Sequence, residues 1–238
     1  MKLSFLLYAP VTELNELDRR MERIASLGYQ GIELTASHPL PYPIEEVVAL
    51  TSKHGLPVVS LLSGWSYGPL VFLDYIRHFG DDELGGLQFV GAVTKLGSTE
   101  AMSVLTPEFL SVVPQFLSTD AETTVRGLEG LEGLCFARKP SGAELYMMLG
   151  YNVSVPPYVR QGLFSRSFHN DDLLPKIRKP VLITHGAADA IVNPAVVDQH
   201  KAAMPHAQIH LMSNTGHAAF WDDATGFNER LRGFCESL

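Results

Sequence analysis

A serine between two glycines, Gly64-Trp65-Ser66-Tyr67-Gly68, stands where an apolar run ends and a helical pattern begins. Val58-Val59-Ser60-Leu61-Leu62 reads as a buried strand, and Pro69–Ile76 as a helix with an apolar face. A strand that must become a helix within these few residues has to bend sharply. Glycine on either side permits the bend and lets the helix approach the strand closely. The serine hydroxyl is then presented at the strand's end. The Tyr67 N–H, at the start of the helix, can point at an oxyanion forming beside it.

A serine hydroxyl is a weak nucleophile at neutral pH and needs a base, and the base needs an orienting acid. Downstream, Pro180–Gly186 reads as a second buried strand, and the loop after it carries Asp189. An amphipathic helix follows around Pro194–Met204. A further strand, Gln208–Met212, then ends in Ser213-Asn214-Thr215-Gly216-His217. An acid and a histidine thus each follow the C-terminal end of a strand, where open α/β sheets bind ligands. Asp189 would also suit a turn on its own, and His217 a loop histidine held by a carbonyl. His185 ends its strand directly before a glycine and reads as structural. Asp222 and Asp223 read as the acidic start of the last helix.

These features resemble the α/β-hydrolase family, in which the order is nucleophile, acid, histidine. The resemblance implies that Ser66 is the nucleophile, Asp189 the acid of an H-G-x-x-D segment and His217 the base. The stretch Gly216–Asp223 is similar to the branch of small esterases, perhydrolases and non-haem haloperoxidases. The resemblance covers about residues 62–238. It implies a carboxylic-ester hydrolase with no cofactor; an apolar roof over such a site would favour small hydrophobic or aryl esters. A perhydrolase or haloperoxidase side activity is compatible with the same triad.

The first sixty residues depart from that pattern. Family members carry a longer stretch before the serine, with a His-Gly oxyanion loop; here there is no His-Gly pair before Ser66. The opening is instead a repeat: strand Lys2–Leu7, helix Glu13–Leu27, strand Gly31–Leu34, helix Ile44–His54, strand Val58–Leu62. Arg23–Leu34 resembles the sugar-phosphate isomerase/epimerase-like TIM barrels. The later metal-binding acids and histidines of that family are missing, and Glu33 and His38 do not make a metal site. The expectation is a chimera, with residues 1–62 a barrel-like βαβαβ segment completing the sheet and 63–238 the hydrolase part. An alternative outcome is a folded chimera whose triad is misaligned and inactive. The second oxyanion donor would come from Tyr8-Ala9-Pro10-Val11, through the N–H of Ala9 or Tyr8, since Pro10 has none.

Composition bounds the rest. The 238 residues are 46% hydrophobic, which suits one α/β domain. A net charge of −8 argues against nucleic acid as a partner. Cys135 and Cys235 lack metal-ligand spacing and suggest reduced thiols in a cytoplasmic protein. No apolar run reaches membrane-spanning length.

Between strands at Leu87–Val93 and Val181–Thr184 lies a long stretch without clear strands, holding helical patterns at Pro107–Leu117, Thr119–Gly130, Gly142–Leu149 and Pro156–Ser167. This reads as a helical cap over about residues 103–172. Trp65, Phe109, Met147 and Phe164 are the candidate substrate contacts, with Phe116, Leu128, Phe136, Tyr146, Met148 and Phe168 in the same apolar roof. The expected sheet has about six parallel strands in the order 2-1-3-4-5-6. Its edge at Gly31–Leu34 would be open to pairing with a second copy, so a homodimer is expected.

Overall fold

The computed structural model describes residues 4–7, 13–29, 31–34, 43–56, 61–82 and 84–238. Tyr8 and Ala9, the expected oxyanion loop, lie outside the described residues, as does most of the expected strand Val58–Leu62. The chain divides into two compact units.

The first unit holds β1 (Ser4–Leu7), α1 (Leu14–Ser26), β2 (Gly31–Leu34) and α2 (Ile44–Lys53). β1 and β2 pair in parallel, Ser4 opposite Gly31 and Leu7 opposite Leu34. Apolar residues spaced three and four apart put Leu17, Met21 and Ile24 on one face of α1. They are buried there with Val47 of α2 and Leu56. Val48 of the same helix, though apolar, is exposed. Gly28 ends α1 in the left-handed region, at φ 84°. Asp18 of α1 accepts hydrogen bonds from Lys53 Nζ and His54 Nε2, fastening α1 to the end of α2.

The second unit is built on a four-stranded sheet. Its strands are β3 (Leu61–Trp65), β4 (Gly86–Val90), β7 (Val181–Gly186) and β8 (Gln208–Met212), in the spatial order β3-β4-β7-β8. Within each unit the strands keep the expected order. β4, β7 and β8 run parallel, with Leu87 opposite Val181 and Leu182 opposite Gln208. Every residue of β4 and β7 is buried, as strands covered on both faces require. α3 (Gly68–Phe79) follows β3, α9 (Val196–Ala203) joins β7 to β8, and α10 (Ala219–Asp222) and α11 (Ala224–Glu236) complete the chain.

Between β4 and β7 the chain inserts helices: α4 (Thr99–Met102), α5 (Pro107–Phe116), α6 (Ala121–Cys135), α7 (Gly142–Val153) and α8 (Pro157–Phe164). Each of α5, α6 and α7 starts on a side chain that accepts a first-turn N–H: Thr106, Asp120 and Ser141. This stretch is not free of strands. β5 (Lys95–Leu96) and β6 (Phe168–His169) pair antiparallel around the insertion's base. Two residues are too few to show a period in the sequence.

α6 also runs past Gly130, where the sequence pattern stopped it. Gly127 is a packing contact rather than a breaker: a Cβ there would lie 2.3 Å from Phe116 N. The missing side chain lets α6 lie directly against the end of α5. Gly127→Ala should therefore destabilise the protein by about 1–3 kcal/mol, through overpacking rather than lost propensity. Urea denaturation against Gly133→Ala, where a Cβ meets nothing within 4 Å, checks it.

Candidate active site

Ser66 sits between the end of β3 and the start of α3 at φ 57°, in the left-handed region. For a non-glycine residue this costs roughly 1–2 kcal/mol. The sheet enforces it: Ser66 N–H donates to Val90 O at 2.9 Å, and Val93 N–H donates to Ser66 O at 3.1 Å. The two glycines of the segment differ. A Cβ on Gly64 would lie 2.7 Å from Pro69 N and 2.8 Å from Phe72 Cε1, so the helix can sit over the strand only with glycine there. Gly68 has open space around it. The Tyr67 N–H is among the donors that any helix N-terminus leaves without an intrahelical partner.

The loops after β7 and β8 are stitched together. Ala187 N–H donates to Met212 O at 2.8 Å and Ala188 N–H to Thr215 O at 2.9 Å. Asp189, buried in the first loop, uses both carboxylate oxygens. Oδ1 accepts from Ile191 N–H at 2.8 Å and Val192 N–H at 2.9 Å. Oδ2 lies 2.8 Å from His217 Nδ1 and 3.1 Å from His185 Nε2. Burial alone would raise this carboxyl's pKa; the hydrogen bonds from His185 and His217 outweigh it and hold it well below the usual range. The contacts of a turn aspartate thus fall to one oxygen, and the contact with His217 to the other.

With its Nδ1 proton directed at Asp189, His217 keeps Nε2 as the acceptor a general base needs. Nε2 is buried and makes no hydrogen bond among the described residues. The imidazole is held by its surroundings as well. Trp65 Nε1 donates to His217 O at 2.9 Å, and the two rings lie 5.3 Å apart. Gly91, at φ 49°, leaves room where a Cβ would lie 3.0 Å from His217 Nδ1.

His185, which the sequence marks as structural, shares Oδ2 with His217. Its Nε2 faces two acceptors, Asp189 Oδ2 and Val192 O, so its proton is committed. Asp222 does not cap the last helix. Its Oδ2 accepts from Gly216 N–H at 2.7 Å and Ala137 N–H at 2.8 Å, fixing the turn that carries His217. Asp223 is the one that caps α11, accepting from Gly226 N–H.

A cavity of about 500 Å³ has Ser66, Tyr67 and His217 in its wall. Trp65, Phe109, Met147 and Phe164, the candidate substrate contacts, all line it, together with Phe116, Leu128, Phe136 and Met148. Tyr146 and Phe168 do not. Tyr146 is 80% exposed, and the Phe168 ring packs edge-on against Tyr67. Hydrophobicity marked these two, but helix phase and the β6 pairing turn them elsewhere.

Sequence reasoning missed the polar groups in the same wall: Lys95, Glu132, Asn152 and Arg160. Lys95 Nζ is 2.7 Å from both Glu100 and Asp171. Glu100, His169 and Asp171 could otherwise converge on a metal ion; the ammonium already supplies positive charge there. The guanidinium of Arg160 donates to the carbonyls of Phe116, Asn152 and Val155 near the ends of α5 and α7. Burial pushes the Cys135 thiol far up, which suits packing and not nucleophilic attack.

The family model described as "Alpha/beta hydrolase family" matches residues 5–230, and the chain belongs to that family. The match takes in the opening segment likened above to a barrel, and the comparisons point to no barrel fragment and no junction. Among curated proteins, the pimeloyl-[acyl-carrier protein] methyl ester esterase of Vibrio atlanticus (strain LGP32) is 26% identical over 229 residues, covering 93% of this chain and 86% of its own. Among solved structures, the esterase RhEst1 from Rhodococcus sp. ECU1013 is 31% identical with a TM-score of 0.70, over 81% of this chain and 70% of that one. A bromoperoxidase from Bacillus anthracis shares the fold at 18% identity and TM-score 0.63, over 98% and 91%. The fold is therefore that of an α/β-hydrolase, a parallel sheet with a helical insertion, and the chain is esterase-like.

The Asp189 geometry fixes a pH dependence. A carboxyl whose folded pKa is depressed adds stability above its unfolded value, near 3.8, and that stability is lost as pH falls through the folded value. Asp189→Asn should be less stable than the wild type at pH 7 by about 1–3 kcal/mol. The gap should close as pH is lowered below 3.8. Denaturant titrations of both proteins across acid pH measure it.

Proposed function

We propose that the chain is a carboxylic-ester hydrolase in which Ser66 is the nucleophile, His217 the base and Asp189 the orienting acid. The observation that carries this reading is the contact of 2.8 Å between Asp189 Oδ2 and His217 Nδ1, in a cavity wall shared with a serine at positive φ. His217 Nε2 takes the Ser66 proton as Oγ attacks the ester carbonyl. The Tyr67 N–H holds the oxyanion. His217 returns the proton to the leaving alcohol, and water then resolves the acyl-enzyme by the same path.

The cavity's size and apolar wall support small hydrophobic or aryl esters as substrates. A curated relative carries the name of a methyl ester esterase, so a methyl ester belongs in the test series. The segment 1–62 needs no separate origin under this reading, since the family match already includes nearly all of it.

Short-chain p-nitrophenyl esters and a methyl ester, assayed with EDTA present, test the reading. Ser66→Ala and His217→Ala should each lose at least about 10³-fold in kcat while staying folded. Retained turnover in Ser66→Ala would refute the mechanism. No turnover in folded wild type would leave the misaligned, non-catalytic alternative.

A further inference from the structure

One face of α6 borders the cavity, through Leu128, Leu131, Glu132 and Cys135. These positions follow the three-and-four spacing of a single helical stripe. Three are apolar, or nearly so, and one is an acid. Glu132 is only 5% exposed. Its Oε1 accepts a hydrogen bond from Asn152 Nδ2. Its Oε2 has no hydrogen-bond partner among the described residues.

Among the described residues no cation forms an ion pair with this carboxylate. The two buried cations in the same wall are engaged elsewhere: Lys95 with Glu100 and Asp171, Arg160 with three backbone carbonyls. Burial accordingly pushes the Glu132 carboxyl up. An isolated buried charge is unfavourable unless something pairs with it.

The position shares a cavity wall with Ser66 and His217. Cys135 O accepts from Ala218 N–H at 2.7 Å, next to His217. Glu132 lies one helical turn back along α6, roughly 5 Å along the helix axis. The remaining wall is rich in aromatic faces, among them Trp65, Phe109, Phe136, Phe164 and Trp221. Such faces attract an alkylammonium, the more so out of water.

From the cavity, the free carboxylate oxygen and the aromatic wall, we infer that the site selects esters bearing an alkylammonium group, with Glu132 as the specificity-determining anion. Asn152 is a positioning residue that holds the carboxylate against α6. The inference rests on the ester-hydrolase reading for its substrate class, though ligand binding can be measured without turnover.

The probes are the butyrate esters of 3-(dimethylamino)propan-1-ol and 4-methylpentan-1-ol, which have the same shape and differ in one charged nitrogen. Titrated calorimetrically into Ser66→Ala protein, the amine ester should bind about tenfold more tightly than its neutral counterpart. In Ser66→Ala/Glu132→Gln, which keeps an acceptor for Asn152, the ratio should fall to near one. With Ser66 intact, the ratio of kcat/KM for the two esters should show the same collapse on Glu132→Gln. Failure of the amine ester to bind more tightly than the neutral one in the single variant overturns the inference, and needs no Glu132 variant to fold. A preference that survives Glu132→Gln overturns it too. A binding preference without any Ser66-dependent turnover would uphold the inference and sink the hydrolase reading.

Discussion

The Asp189 carboxylate is the point from which the site is organised. It is buried, and an ionised carboxylate is costly to bury unless its lone pairs are filled. One oxygen takes the two N–H groups of its own turn, and the other takes His217 and His185. These contacts fix the loop after β7 and join it to the loop after β8. The imidazole is thereby locked as a donor at Nδ1, which frees Nε2. The hydroxyl of Ser66 needs such a base, and the elbow after β3 brings both to one cavity wall.

Around that point the packing depends on side chains that are absent. A Cβ on Gly186 would lie 2.0 Å from Gly216 O, so the backbone after β8 can approach the end of β7 only because β7 ends in glycine. Gly64 does the same between β3 and α3, and Gly127 between α6 and α5. Close backbone approach, rather than left-handed geometry, is what these three share. It explains why the elbow's two glycines are unequal, Gly64 crowded and Gly68 free.

Much of this was legible in the sequence. β4 and β7 announce themselves as unbroken apolar runs, and an acid and a histidine after successive strands point to the loop pair. The helices of the insertion show their period and their caps. What could not be read has physical reasons. β5 and β6 are too short to carry a pattern. Asp222 looks like a helix-start acid, and only the fold brings its carboxylate to Gly216. Glu132 carries no mark in the sequence, and only the packing of α6 turns it to the cavity with Leu128 and Leu131. The opening segment resembles a barrel because parallel αβ repeats share one local grammar; a match over residues 5–230 places it within the hydrolase family instead.

The backbone of Ser66 has one more implication. Glycine would occupy φ 57° with little strain, so the protein as it stands is less stable than a version with glycine at the elbow. Under the proposed mechanism, stability and chemistry pull in opposite directions at this single position. Under mutation with no demand for turnover, the elbow would drift toward glycine while the sheet and helices around it stayed intact. Under the proposed mechanism, turnover is what would keep a serine in this conformation, whatever the substrate.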